Sequence, residues 1–277
     1  MFKLKTLIAV IALLTCVLSQ VSTADTTWIA GSDKQPRNAR SLEIIEGLDS
    51  SLDGDYSFVV VGDSRTYPKR FARIAKLINS LNPDFVIHLG DIVTTGSEKE
   101  YKEVEPIFDS INAPVIAVPG NHDYTKGKNG SANYNIYFGD SSFTFDFGGV
   151  RFVLVDNAKG YLSKTQLSQM KTDLTTDQVK VVMMHAPPKG PYPKHYFEGG
   201  AKELLNIIRQ TGCEYAFFAH IHGYDKRTIE DKCTAYITGG GGAEINGYGF
   251  CQEVFHVMYI TVKGRDLEIK MIPLPEE

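Results

Sequence analysis

Five short stretches of the chain carry metal-binding side chains: Gly62-Asp63, Gly90-Asp91, Gly120-Asn121-His122-Asp123, His185 and His220-Ile221-His222. Each follows an apolar run. One aspartate after a glycine is ordinarily a turn former, and one histidine is ordinarily a hydrogen-bonded polar residue. Five such stretches, all placed behind apolar runs, read better as one shared site. Their donors are carboxylate, amide and imidazole, without thiolate. That set suits Mn²⁺, Fe or Zn²⁺ over copper(I), and imidazole argues against a pure Ca²⁺ or Mg²⁺ site. Asp63, Asp91, Asn121, His185, His220 and His222 are too many ligands for one tetrahedral ion. They suit two ions about 3.5–4 Å apart that share a carboxylate, the arrangement used for in-line phosphoryl transfer.

The elements that must position these residues are legible in the same runs. SFVVV (57–61), DFVIHL (84–89), VIAV (115–118), FVLV (152–155), KVVMM (180–184) and YAFFA (215–219) read as strands. Their near-continuous apolar character predicts burial on both faces, as in a sheet covered by helices. Between the first two runs, Phe71, Ile74, Ala75 and Ile78 fall at helical spacing, and Pro68 suits a first turn. Residues 162–174 and 200–211 read as further helices. This β-α-β alternation predicts an α/β fold, whose loops at the carboxyl ends of the strands gather along one edge. Gly62, Gly90 and Gly120 stand where a strand must turn sharply.

Composition narrows the setting. The 277 residues carry a net charge of −4 and no basic run, which argues against a nucleic-acid backbone as main partner. Residues 1–24 read as a signal peptide, with Lys3 and Lys5 before an apolar run at 7–18 and Ser22-Thr23-Ala24 as the cleavage region. The run falls short of the ~20 residues that span a bilayer, so an exported protein, periplasmic or secreted, without a transmembrane helix is expected. Leu13-Leu14-Thr15-Cys16 loosely resembles a lipobox, although Thr15 fits it poorly, and cleavage after Ala24 is preferred over lipid anchoring at Cys16. A 25–55 extension then precedes one domain over 56–277. Removing the leader leaves Cys213, Cys233 and Cys251, enough for one bridge and a free thiol. No CxxC pair supports a thiolate zinc site. Cys213–Cys233 is the favoured bridge, since both begin strands that could lie parallel with their starts together. The run 251–262 reads instead as the returning arm of a hairpin after the four glycines 239–242.

The ordered motifs VGDSR, LGDIV, PGNHD, MMHAPP and AHIH resemble those of the calcineurin-like metallophosphoesterases. YNIYFGDSSFTFDFGGVRFVLVDN and CTAYITGGGGA also look like the secreted branch related to purple acid phosphatases. The resemblance covers nearly all of the chain after the leader. It implies a four-layer α/β sandwich, two mixed sheets face to face with helices outside. Carried over by position, it implies Asp63 and His222 on a first ion, Asp91 bridging, and Asn121, His185 and His220 on a second. The implied chemistry is hydrolysis of phosphate mono- or diesters by a bridging hydroxide, with His122 as proton donor oriented by Asp123.

Three residues depart from the pattern. Ala219 stands where the family usually has glycine, a tolerable change. Thr94 stands where the purple acid phosphatases place a metal-binding tyrosine, which argues against a tyrosinate-iron site. Arg65 replaces the histidine of the usual Asp-x-His. A guanidinium offers no lone pair and stays protonated, so it is no ligand. The first ion therefore lacks one protein ligand. Arg65 is expected to hold substrate phosphate through its planar fork, or else to turn away onto a surface carboxylate. Tyr192, His195 and Tyr196 lie on a Pro/Gly-rich loop that could close as a lid, whereas His88 and His256 sit inside strands and read as core or surface residues, not ligands. The expected partner is a small phosphorylated substrate. A phosphate-binding protein with impaired catalysis and an exported nuclease are the competing classes. The retained Asn121-His122-Asp123 argues against the first and the net charge against the second.

Overall fold

The apolar runs do become strands buried on both faces. The computed structural model describes residues 35–49, 55–124 and 130–276. Along the chain these form α1 (Arg37–Asp49), β1 (Asp55–Val61), α2 (Pro68–Leu81), β2 (Phe85–His88), α3 (Glu98–Asp109), β3 (Val115–Ala117) and α4 (Ala132–Tyr137). Then follow β4 (Phe143–Phe147), β5 (Val150–Leu154), α5 (Lys164–Asp173), β6 (Val179–Met183), α6 (Ala201–Thr211) and β7 (Tyr215–Phe218). The last strands are β8 (Tyr224–Ile229), β9 (Cys233–Thr238), β10 (His256–Lys263) and β11 (Asp266–Pro273). The signal-peptide reading of 1–24 lies outside the described residues, and among those described no helix is long and apolar enough to cross a membrane.

The strands make two mixed sheets, one ordered β11-β10-β1-β2-β3 and the other β4-β5-β6-β7-β9-β8. Their inner faces meet over Phe58, Phe85, Phe145, Phe152 and Met183. Phe58 stacks on Phe85 at 5.2 Å and meets Phe152 edge-on at 5.3 Å. Each buried aromatic of this kind contributes about 1.5–3 kcal/mol. The outer face of the first sheet packs on α2, α3 and α4 through Phe71, Ile78, Tyr101 and Tyr134. That of the second packs on α5 and α6 through Leu167, Met170 and Leu204. The result is the expected four-layer α/β sandwich.

Local signals account for the helix ends. Ser97 with Glu100, and Ser163 with Gln166, form reciprocal capping boxes on α3 and α5. Asn82 and Gly212 close α2 and α6 in the left-handed conformation. α1 falls within the segment read as an extension, and the sequence did not single it out. Its Asn38 side chain donates to Ala117 O at 2.9 Å and accepts from Ala117 N at 2.8 Å, so one amide pairs with the open edge of β3 as a neighbouring strand would.

Two expectations about the last third of the chain need correction. The run 251–262 does not return beside β9. It crosses to the other sheet, where β10 pairs antiparallel with β1 (Phe58 opposite Ile260) and with β11. The crossing lets Phe58 and Ile260 share the inter-sheet core, a gain that no local pattern announces. The second correction concerns the bridge. β7 and β9 do run parallel, with Tyr215 opposite Thr234, yet Cys213, Cys233 and Cys251 are all buried free thiols. A hydrogen bond from Cys213 and burial push the Cys233 thiol pKa far up, so thiolate, the reactive form, is suppressed.

Candidate metal centre

The parallel run β1-β2-β3 ends its strands at one edge, and the second sheet's β6 and β7 end against it. Asp63 and Asp91 occupy the turns after β1 and β2, both with left-handed backbone (φ 59° and 55°). Backbone bonds stitch these turns together, Asp63 N to Gly90 O at 3.0 Å and Arg65 N to Asp91 O at 3.0 Å. Non-glycine residues at positive φ cost free energy and persist where the surroundings enforce them. His220, after β7, is a third (φ 66°). Glycine is required opposite them. A Cβ on Gly120 would stand 2.2 Å from Asp91 Oδ1, and one on Gly239 would stand 2.7 Å from Asp63 Oδ2.

The six expected ligands come together in two groups that share Asp91. Ligand atoms of Asp91, His185 and His220 lie within 4.8 Å of one another, as do those of Asp63, Asp91 and His222. His185 donates Nδ1–H to Leu89 O at 2.8 Å, which leaves its Nε2 as a lone pair. Around that Nε2 stand His220 Nδ1 at 3.1 Å, Asn121 Oδ1 at 3.2 Å and Asp91 Oδ1 at 3.4 Å. Burial and the neighbouring His185 push the His220 pKa down to about 3, so its ring stays neutral with a lone pair to give. Electron pairs thus converge from four side chains, an arrangement that a cation satisfies. In the other group, His222 donates Nδ1–H to Glu244 O at 2.6 Å and turns Nε2 toward Asp63 Oδ1, 3.4 Å away. Asp63 Oδ1 is buried without a hydrogen-bond partner. Burial opposes the charge of Asp63, but His222, His185 and His220 around it hold the carboxylate below its ordinary range. The donor set and the unpartnered buried oxygen fit divalent metal ions.

The residues around the ligands are placed less predictably. Arg65 does not turn to the surface; its Nε donates to Asp91 Oδ2 at 3.2 Å, and Nη1 reaches Thr66 Oγ1 at 3.3 Å. His122 lies beside Asp91, its backbone N–H donating to Oδ1 at 2.9 Å. Its ring is not oriented by Asp123. Nδ1 meets Thr94 O at 2.8 Å instead. The Asp123 carboxylate accepts from the backbone of Ile92, Val93 and Gly120 at 2.7–3.0 Å, fully buried, and so ties the Asp91 turn to the Asn121 turn. Burial and the nearby Asp91 push its pKa up to about 7.

Other residues gain a position that sequence did not reveal. Buried His88 accepts from Gly90 N at 3.1 Å through Nδ1 and bonds Ser64 Oγ at 3.0 Å through Nε2, linking the two aspartate turns. Asn157 pairs with the backbone of Ala186, next to His185, at 2.7 and 3.1 Å. Its signal was the Asp156-Asn157 pair ending a strand on the ligand edge. Tyr224 packs edge-on against His256 (5.5 Å). Of the loop residues, Tyr192 is buried under Arg227, whose guanidinium stands 4.3 Å from its ring centroid. His195 stacks on Tyr248 at 3.8 Å, with its ring 5.9 Å from that of His220. A cavity of about 400 Å³ opens beside the site, lined by Arg65, Tyr67, His222, Glu244, Asn246 and Tyr248.

Two mixed sheets with acidic and imidazole side chains at their common edge define a metallophosphoesterase architecture. Residues 56–224 match the calcineurin-like phosphoesterase family, and the chain belongs to it. A probable cyclic nucleotide phosphodiesterase of Fibrobacter succinogenes is 23% identical over 163 residues, 56% of this chain and 63% of that one. The glycerophosphodiester phosphodiesterase GpdQ of Enterobacter lignolyticus is 28% identical over 131 residues, 42% of this chain and 47% of its own. The matched region thus spans less than two thirds of these relatives' lengths. Among solved structures, yellow lupin purple acid phosphatase PPD1 superposes with a TM-score of 0.64 at 15% identity, covering 78% of this chain and 51% of that one. A dimetal phosphatase from Danio rerio superposes at 0.60 and 15%, covering 79% and 99%. These likenesses establish the fold.

Proposed function

We propose that the protein hydrolyses small phosphate mono- or diesters at a centre with room for two metal ions, Mn, Fe or Zn. The observation that carries this reading is the convergence of His185 Nε2, His220 Nδ1, Asn121 Oδ1 and Asp91 Oδ1, four acceptor atoms with a second acceptor pair, Asp63 and His222, beside them. Ions bound there would lower the pKa of water toward neutrality and offset phosphoryl charge. The chain's own residues supply the rest. Thr94 O accepts the His122 Nδ1–H and leaves Nε2 to give a proton to the leaving oxygen when the ring is an imidazolium. Arg65, anchored on Asp91 by Nε, has an Nη2 edge left for a phosphate oxygen. The relatives' names make diesters the first substrates to test. The same reading includes export, periplasmic or secreted, which the leader-like composition of residues 1–24 supports.

The test is hydrolysis of nitrophenyl phosphate and bis(nitrophenyl) phosphate by chelator-stripped protein before and after Mn²⁺, Fe²⁺ or Zn²⁺ is added. Activity restored by metal is expected, and a panel of mononucleotides, sugar phosphates and cyclic nucleotides then ranks substrates. A loaded protein that binds phosphate esters without turning any over would overturn the hydrolase in favour of a phosphate-binding protein.

A further inference from the structure

The two ligand groups are unequal, and Arg65 makes them so. Asp91 has one oxygen for each group. Its Oδ1 faces His185 Nε2, whereas its Oδ2 is taken by Arg65 Nε at 3.2 Å. The arginine is held in that place. It stands two residues after Asp63, on the turn that Arg65 N fixes to Asp91 O, and the Asp91 side chain that it meets is 2% exposed. A backbone N–H rests on one oxygen of each aspartate, His220 N on Asp63 Oδ2 at 2.8 Å and His122 N on Asp91 Oδ1 at 2.9 Å, so what sets the two groups apart is the guanidinium on Asp91 Oδ2. The Asp63 group offers an ion Asp63 Oδ1 and His222 Nε2, which face each other at 3.4 Å. The His185 group keeps four donors and the Asp63 group two, beside a permanent positive charge that cannot ionise away.

We infer that the protein holds one tightly bound metal ion, on Asp91, Asn121, His185 and His220, and that the Arg65 guanidinium supplies the neighbouring positive charge. This rests on the metal-dependent reading above and sharpens it. The Asp63 group then takes an ion only at high concentration, against the guanidinium. Asp63 and His222 keep a second role, since the charge of Asp63 stays beside the ligand His220, whose backbone N–H it accepts.

The full chain, stripped with chelator and titrated with Mn²⁺, tests this by calorimetry and electron paramagnetic resonance. One tight equivalent with the six-line signal of an isolated Mn²⁺ is expected. A second should bind ~100-fold or more weakly, the upper range for a metal that loses a supporting group. Arg65→His returns an imidazole donor and removes the charge, and should give two equivalents and an exchange-coupled spectrum. Arg65→Ala removes the charge and frees Asp91 Oδ2 without adding a donor; it should strengthen the second equivalent about tenfold, and keeps the test open if the histidine variant folds poorly. His220→Ala should abolish the tight ion and His222→Ala should retain it. Two Mn²⁺ of affinity within tenfold and a coupled spectrum in the parent would overturn the inference. So would two variants that keep the parent's second-ion affinity. One bound ion with no hydrolysis of any phosphate ester would leave this inference standing and sink the hydrolase, whereas no bound ion would sink both.

Discussion

His122 Nδ1 lies 2.8 Å from the carbonyl oxygen of Thr94, while the backbone N–H of His122 donates to Asp91 Oδ1 at 2.9 Å. One residue is thus held at both ends, by a strand-end carboxylate and by the loop that follows it. The ring has a fixed orientation without help from a second carboxylate.

His122→Asn should therefore lose rate and keep metal. A positioned general acid is worth roughly 10²–10⁴-fold. The loss should be large for alkyl phosphate esters and small for nitrophenyl esters, whose leaving oxygen needs no proton. Steady-state kinetics on both, with metal content by elemental analysis, decides this. Equal losses on the two ester types would remove the proton-donor role.

Asp91→Asn should abolish activity and lower metal content, because the Asp91 carboxylate belongs to both ligand groups. It also accepts from Arg65 on one oxygen and from His122 on the other, and an amide keeps only one acceptor, so one of these neighbours should lose its anchor. Near-normal turnover in this variant would end the mechanism proposed for the site.

Asp123→Ala should act mainly on stability. It removes a buried acceptor and leaves the amides of Ile92, Val93 and Gly120 without a partner. Orphaned buried donors cost about 1–3 kcal/mol each, less than additively, so a loss of about 3–5 kcal/mol in urea unfolding is expected. Asp123→Asn keeps one oxygen acceptor and should lose less. If Asp123→Ala unfolds like the parent but loses rate as His122→Asn does, Asp123 orients the imidazole after all.

His256 should make the protein acid-sensitive. Burial pushes its pKa down to about 4, and its Nε2 has no hydrogen-bond partner, so a proton there would be unsolvated and unpaired. The unfolded chain protonates this ring near pH 6.5 while the native state does not. The unfolded state therefore binds more protons between about pH 6.5 and 4. Stability is fully present above pH 6.5 and falls as pH drops through that window, at up to about 1.4 kcal/mol per pH unit from this group. His256→Phe should flatten that part of the slope, read from urea unfolding between pH 7 and 5. An unchanged slope would assign the acid sensitivity to other groups, such as His88.

Much of this protein was legible before any coordinates. Strand-end placement of Asp63, Asp91, Asn121, His185 and His220-Ile221-His222 is a local property, because an apolar run declares a buried strand and, for the first three, a following glycine declares its turn. The helix Pro68–Leu81 was equally local, since its apolar spacing and first-turn proline need no partner to be read. Arginine's lack of a lone pair was also chemistry that the sequence alone decided. Tertiary structure decided the rest, because it depends on what meets across the two sheets. The same His-Asp dipeptide that looks like a donor and its orienter splits, Asp123 inward to three amides and His122 outward to Thr94. The strand after four glycines could close a hairpin or cross over, and the inner faces of the two sheets chose crossing, since that buries Met258 and Ile260 in the shared core. Whether Arg65 would face solvent or the site turned on Asp91 Oδ2, an oxygen contributed from 26 residues further along the chain, which only the pairing of β1 with β2 brings within 3.2 Å.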